Sequence, residues 1–437
     1  MFNKIIRFTQ EKTQYLYENS LFLQNIDKLI FISVLAVFFS STVMSSDIIG
    51  FIALITVFLV FVKILTHKGE TLECKNYELW LLAYFMLVVI SLAGSTLFHL
   101  SLKGFFKTFT YLAFYCSMAQ YLKTNKKSIP YILGAIGICI SFESIVGLLQ
   151  NFAHVSEIST WQDVSNLNPE QIMTRVYGTL KPLNPNLLGG YFVGGISVLY
   201  GLAGYFYIDK KYVPALINLL FAFLSTVTLF LTGCRGSYIG MLVIICSIFI
   251  VSAKFLWSEY KKLYLTVAGV VFALGTSAIL AVSSLRARIL SIFAMRQDSS
   301  NSFRFNVYHS SFDMFKDNWL FGIGVGNQNF REIYGLYMRT GFDALSAYNI
   351  YLEIAVESGV FALIAFLGFL ISLLKDSISY IINSKDAKSV VLLSTAIISI
   401  FAMCIHGMVD TVFFRPQIQF IFWTMAAIAG CIKASKE

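Results

Sequence analysis

The sequence is short of charge. Asp, Glu, Lys and Arg make up only 13% of its 437 residues, where soluble domains carry about a quarter. That shortage excludes a water-soluble domain with an ordinary polar shell. Paired cysteines are also missing. Cys74, Cys116, Cys139, Cys234, Cys246, Cys404 and Cys431 are scattered, with no CxxC and no Cys/His cluster along the chain. Neither a disulfide framework nor a zinc site is indicated, and the thiols read as small buried hydrophobes. The first twenty residues, MFNKIIRFTQEKTQYLYENS, lack the apolar core of a cleavable signal. The first spanning helix is therefore expected to direct insertion. No pattern of acids suggests a metal cage, and no cofactor is indicated. The stretch GIGVGN, Gly322 to Asn327, lacks the lysine and strand context of a P-loop, which excludes a nucleotide site.

What is present is apolar length. Residues of hydrophobic type make up 57% of the chain, and runs of about twenty recur along it. Such runs are too long and too solidly apolar for barrel strands, so they predict an all-α polytopic membrane protein. Twelve spans are expected at approximately 29–46, 48–66, 78–97, 100–122, 130–150, 187–207, 213–232, 236–256, 262–283, 345–374, 389–411 and 416–434. The tenth is long for one crossing, so it either begins as a surface helix or tilts strongly. Residues 1–28 form a terminal segment before the spans. Two connections are long, 151–186 and 284–344.

Every second connection is rich in lysine: Lys68 and Lys75, then Lys123, Lys126 and Lys127, then Lys210 and Lys211, then Lys254, Lys261 and Lys262. Lys375, Lys385 and Lys388, with Lys433 and Lys436, continue the alternation. By the positive-inside rule both termini lie in the cytoplasm and both long connections face outward. The arginines behave differently. Nine of ten fall on or near the outer side: Arg175, Arg235, Arg286, Arg288, Arg296, Arg304, Arg331, Arg339 and Arg415. The planar guanidinium fork suits phosphate and carboxylate, so this bias points to an anionic ligand on that face. The plain alternative is that long loops escape the charge rule.

Five stretches concentrate the chemistry. In LTGCRGSYIG, Arg235 lies between glycines where span 7 meets span 8, poised for an anion or merely snorkelling. In RVYGTLKPLNPNLLGGYF, Asn184 and Asn186 stand at the entry to span 6; capping explains one of them. In the large loop, Arg304, Tyr308 and Phe312 share a helix face, and the turn around Gly324 shapes a pocket. In ALSAYNIYLEIAVESGVFAL, Tyr348, Asn349, Glu353 and Glu357 open an apolar helix, and a loop arginine is the natural partner for one glutamate. In CIHGMVDTVFFRPQ, His406 and Asp410 are four apart and read as a helix-packing cluster, with Arg415 at the outer turn.

In this order the blocks resemble the O-antigen ligase/polymerase superfamily of bacterial membrane proteins. The resemblance rests on LTGCRGSYIG, on SFRFN through DNWLFGIGVGNQNF, and on AYNIYLEIAVESG, and covers roughly 175–375. RVYGTLKPLNPNLLGGYF, LYMRTGFDALSAYNIYLEIAVESG and GMVDTVFFRPQ are most similar to a branch known as bicarbonate transporters. The superfamily resemblance implies metal-independent transfer of a glycan from undecaprenyl diphosphate to a lipid or glycan acceptor, on the outer side of the bacterial cytoplasmic membrane. Arg235, Arg304, Arg175 and Arg339 would bind the diphosphate. Tyr348, Glu353 or His309 would handle the acceptor, while Asn186, Gly324, Asn349 and Arg415 would shape the pocket. One departure stands out: ligases carry histidine, the proposed base, where this chain has Tyr348. A phenol titrating near pH 10 is a poor base at neutral pH. The branch resemblance implies instead a carrier of bicarbonate or another small anion, with Glu143, His406 and Asp410 as its polar groups. No inverted repeat or pair of broken helices accompanies that reading.

Overall fold

The structure, a computed structural model, describes residues 2–155, 175–293, 298–339 and 343–433. Most of the first long connection, together with Arg296 and Lys436, lies outside the described residues. Among the described residues every regular element is helical and no strand occurs. Helices α1 (Phe2–Asn19) and α2 (Leu21–Gln24) lead into α3 (Ile26–Ser41), α4 (Ser46–Thr66), α5 (Asn76–Gly94), α6 (Phe98–Thr124) and α7 (Ile129–Phe152). Helices α8 (Pro185–Ile208), α9 (Tyr212–Leu231) and α10 (Arg235–Ala281) follow. The large connection holds α11 (Ser283–Leu290), α12 (Ser299–Asp317) and α13 (Asn327–Tyr337). The chain closes with α14 (Ile350–Asn383), α15 (Ala387–His406) and α16 (Pro416–Lys433). Eight of these helices are long and apolar enough to cross a membrane. The protein is an all-α, multi-pass membrane protein.

The twelve expected spans fall on eleven helices, α3 to α10 and α14 to α16, because spans 8 and 9 run on as α10. That helix is interrupted at Tyr260, whose φ of −120° and ψ of 29° are not helical. The chain reverses there. Tyr264 Oη donates to the Phe249 carbonyl at 2.6 Å, although a straight helix would separate these residues by about 22 Å. The expected lysine-rich connection is thus a tight helical hairpin.

The long tenth span is broken as well. Gly359 has φ 84°, which ends one helical stretch after Ile350–Ser358 and starts another. The backbone groups freed by the break are taken up by the glycine-rich stretch. Ile323 N–H donates to the Val356 carbonyl, Gly324 N–H to that of Glu357, and Val360 N–H to that of Trp319. A Cβ on Gly322 would lie 2.3 Å from the Glu357 carbonyl oxygen, so only glycine fits. The stretch GIGVGN therefore fills a broken membrane helix. The loop helices also have a small core of their own, with Val307, Met314, Phe330 and Tyr334 buried together.

Helix α8 is the centre of the bundle and packs against α7, α9, α10, α15 and α16. Its glycines let neighbours approach as bulky side chains would not; a Cβ on Gly201 would strike Thr395 of α15. At the lysine-rich end Lys63 is buried and ringed by acceptors. Its Nζ lies 2.8 Å from Asp27, 3.0 Å from Glu70 and 3.0 Å from Thr124 Oγ1.

Candidate functional site: an arginine-lined cavity

At the opposite end the chain between α9 and α10 makes the turn Thr232-Gly233-Cys234. Gly233 has φ 62°, the left-handed region where side chains are strained. A Cβ there would also meet the Arg175 side chain at 3.0 Å. The turn's carbonyls are held by two arginines: Arg175 Nε donates to Thr232 at 2.7 Å, and Arg288 Nε donates to Gly233 at 2.8 Å. Asn186 Oδ1 accepts from Arg175 Nη2 at 2.6 Å, while Asn184 caps α8 through the Asn186 N–H. The two asparagines thus divide the labour, one for the helix and one for the arginine.

Arg235 opens α10 and is 6% exposed. Its Nη1 lies 2.9 Å from Asp298, which also caps α12 by accepting from Asn301 N–H. Arg304, on α12, pairs with Asp410 at 3.2 Å, and its guanidinium lies over the Tyr348 ring at 5.6 Å. Among the described residues no loop arginine pairs with Glu353 or Glu357, contrary to the expectation for one of them; Arg304 is bound to Asp410 instead. The two glutamates accept from the Ala347 and Gly326 N–H groups. Asn349 caps α14 and donates to the Met408 carbonyl.

These groups surround a cavity of about 320 Å³. Six cationic side chains line it, Lys107, Arg175, Arg235, Arg288, Arg304 and Arg415, against two acids, Glu353 and Asp410. The first residues of α8, α10, α12, α13 and α16 line it too, through Asn186, Arg235, Ser300, Asn327 and Pro416. Helix N-termini carry partial positive charge and free N–H groups, so they add to the field of the cations. Burial lowers the pKa of Arg288, as does the charge of Arg175, yet a guanidinium remains protonated. The excess positive charge favours an anion with several oxygens.

Of the residues singled out from the sequence, the fold brings Arg175, Asn186, Arg235, Arg304, Tyr348, Glu353 and Arg415 to this cavity. Asn349 stays at the helix cap beside it. Gly324 packs against Ser95 and Ser101. His309 is on the exposed face of α12, and Arg339 pairs with Asp313 at the surface, so neither lines the cavity. Two lining cations went unnoticed in the sequence. Nothing in SSLRARIL separates Arg288 from Arg286, which bonds the Leu280 carbonyl in the open. Lys107, one turn after Lys103, has the visible signal of standing towards the start of α6, away from the lysine-rich connections.

Tyr348 sits at φ 54° just before α14. Burial and the Asp410 carboxylate raise its hydroxyl pKa above the ordinary value, so the phenol stays neutral. Behind the cavity, Cys234, His406 and Asp410 come together, with one ligand atom of each within 4.8 Å of the others. Among the described residues this is the one group of His, Cys, Asp and Glu able to hold a metal ion. The fold creates it by bringing Cys234 to His406, 172 residues further on, and to Asp410, which is why no Cys/His cluster shows in the sequence. Burial opposes ionisation of the Cys234 thiol, but the hydrogen bond and charge of His406 prevail and bring it down to about 7. His406 also lies 3.4 Å from Ser237 Oγ, and Asp410 already holds Arg304 and Val412 N–H, so the cluster is satisfied by protein groups alone.

Residues 220–367, from within α9 to within α14, match the family model described as O-antigen ligase. The chain carries an O-antigen ligase domain. Arg235, Arg288, Arg304, Tyr348 and Glu353 lie inside the matched segment of this ligase domain, while Lys107, Arg175, Asp410 and Arg415 complete the cavity from outside it. No curated protein matches the chain.

Proposed function

We propose that the protein transfers a glycan from undecaprenyl diphosphate to a hydroxyl of a lipid or glycan acceptor. The observation that carries this reading is the imbalance of six cations against two acids around one cavity, within a chain that has an O-antigen ligase domain. In this reading Arg175, Arg235 and Arg288 hold the diphosphate. They stabilise the charge that grows on it as the sugar–phosphate bond breaks, an electrostatic role. The acceptor oxygen attacks the anomeric carbon, the electron pair of the broken bond leaves with undecaprenyl diphosphate, and the hydroxyl proton passes to Glu353. Glu353 suits that task because Asp410, the other lining acid, is already bound to Arg304. Tyr348 keeps its proton and positions the acceptor. The lysine alternation supports placing the cavity on the outer side of the cytoplasmic membrane, with both termini inside.

Carriage of a small anion is the competing reading. Glu143, one of its expected polar groups, accepts from Thr179 N–H at 3.0 Å and Thr179 Oγ1 at 2.5 Å, so it anchors the loop that bears Arg175. The deciding experiment compares wild type with Arg235→Ala in membranes supplied with a lipid-diphosphate glycan. Glycan transfer by wild type and its loss in the variant are expected. Bicarbonate uptake that depends on Arg235, with no glycan transfer by either protein, would overturn the proposal.

A further inference from the structure

A second recess adjoins the arginine cavity. It measures about 850 Å³ and is bounded by α4, α6, the start of α13 and the turn before α16. Lys107, Tyr111, Asn327, Leu345 and Arg415 line both spaces, so they are continuous. The recess has two unlike parts. Its charged lining is Lys103, Lys107 and Arg415 against Asp47 alone, and Lys107 and Arg415 also line the arginine cavity. Its apolar lining includes Gly50, Phe51, Leu54 and Phe106 on the helices α4 and α6, with Phe51 66% and Phe106 58% exposed. Among the described residues the three cations have no carboxylate within salt-bridge distance, unlike Arg235 and Arg304. Cations left unpaired over an apolar wall match an amphiphile with an anionic head.

We infer that this recess is the acceptor site, and that the acceptor is an amphiphile bearing a phosphate or carboxylate next to the hydroxyl that reacts. This rests on the transferase reading above. Lys103, Lys107 and Arg415 bind the anionic head, the wall of Phe51, Leu54 and Phe106 takes the apolar chain, and the shared opening delivers the hydroxyl towards Glu353. The diphosphate-linked donor keeps Arg175, Arg235 and Arg288, so the two substrates are held by separate cations.

Binding can be read without transfer. The full-length protein in phosphatidylcholine nanodiscs is photolabelled with a diazirine-bearing dodecyl phosphate, and with the matching dodecyl glucoside as a neutral control. The phosphate probe is expected to label α4 and α6. Labelling should fall about tenfold in the double variant Lys107→Gln/Arg415→Gln, in keeping with loss of charge-assisted bonds. It should persist in Arg235→Ala and withstand excess inorganic phosphate. The double variant's melting temperature serves as the folding control, since among the described residues neither side chain makes an ion pair within salt-bridge distance. Equal labelling of wild type and double variant would overturn the inference, and so would equal labelling by the two probes. Competition by inorganic phosphate would mark a free-anion site and also overturn it, as would a loss in Arg235→Ala as large as in the double variant. Charge-dependent labelling without glycan transfer would fell the transferase reading alone. Transfer without such labelling would fell the acceptor site alone.

Discussion

The two ends of the bundle treat buried charge in opposite ways. At the lysine-rich end one buried cation, Lys63, meets two carboxylates and a hydroxyl, and Glu70 is further held by Gln120 at 2.6 Å. Nothing is left for a ligand to neutralise, and the group ties α3, α4 and α6 together. At the arginine-rich end the balance is reversed: Arg235 pairs with Asp298 and Arg304 with Asp410, yet six cations face one cavity whose lining holds only two acids, Glu353 and Asp410. Like charges gathered around one space favour an anion between them. The balance of charge around a cavity, more than the number of charges, distinguishes such a candidate site from a structural ion cluster.

The comparison breaks first at Arg235. Arg235→Ala should lower glycan transfer by roughly 10² to 10³-fold, the range for removing one preorganised donor, as measured in membranes against protein level. If activity survives, the arginine end is structural like the other. Lys63→Met should do the reverse. It leaves Glu70 buried without its cation, at a cost of about 3 kcal/mol, read as a lower melting temperature in detergent. Activity per folded molecule should stay within about twofold, because the lysine end has no part in the chemistry.

Smaller effects sharpen the picture. Asn186→Ala removes the side chain that orients Arg175 and should cost about tenfold in transfer, roughly one charge-assisted hydrogen bond. Tyr348→Phe should cost only a few-fold and leave the pH profile between about 6 and 8 unchanged, because the phenol is already held neutral. Tyr348→His, which tolerates the positive φ better than most residues, should add a limb that rises with pH near 6.5. The smallest effects are expected at His309→Ala and Arg339→Ala, whose activities should match wild type. A tenfold loss at either would mean that the loop closes over the cavity during the reaction.

Much of the architecture was legible because long apolar runs have few alternatives in lipid. Arg235, Arg304 and Glu353 were legible because charge beside or within such a run is conspicuous. Arg288 was not, since its role depends on where the helix 283–290 sits, and the same residue type two positions earlier points elsewhere. The Arg304–Asp410 pair was missed for a related reason: residues 106 apart meet only when α12 folds over the end of α15. The tenth span's length was visible, but its break at Gly359 gained meaning only with the stretch 319–324 bonded across it.

The sequence by itself determined the all-helical membrane-spanning class, the lysine alternation and the arginine bias. These follow from hydrophobicity and charge read locally along the chain. Tertiary structure alone decided which arginines share a cavity and which acids lie beside them. Those outcomes depend on distances between residues far apart in the chain, which local composition does not encode.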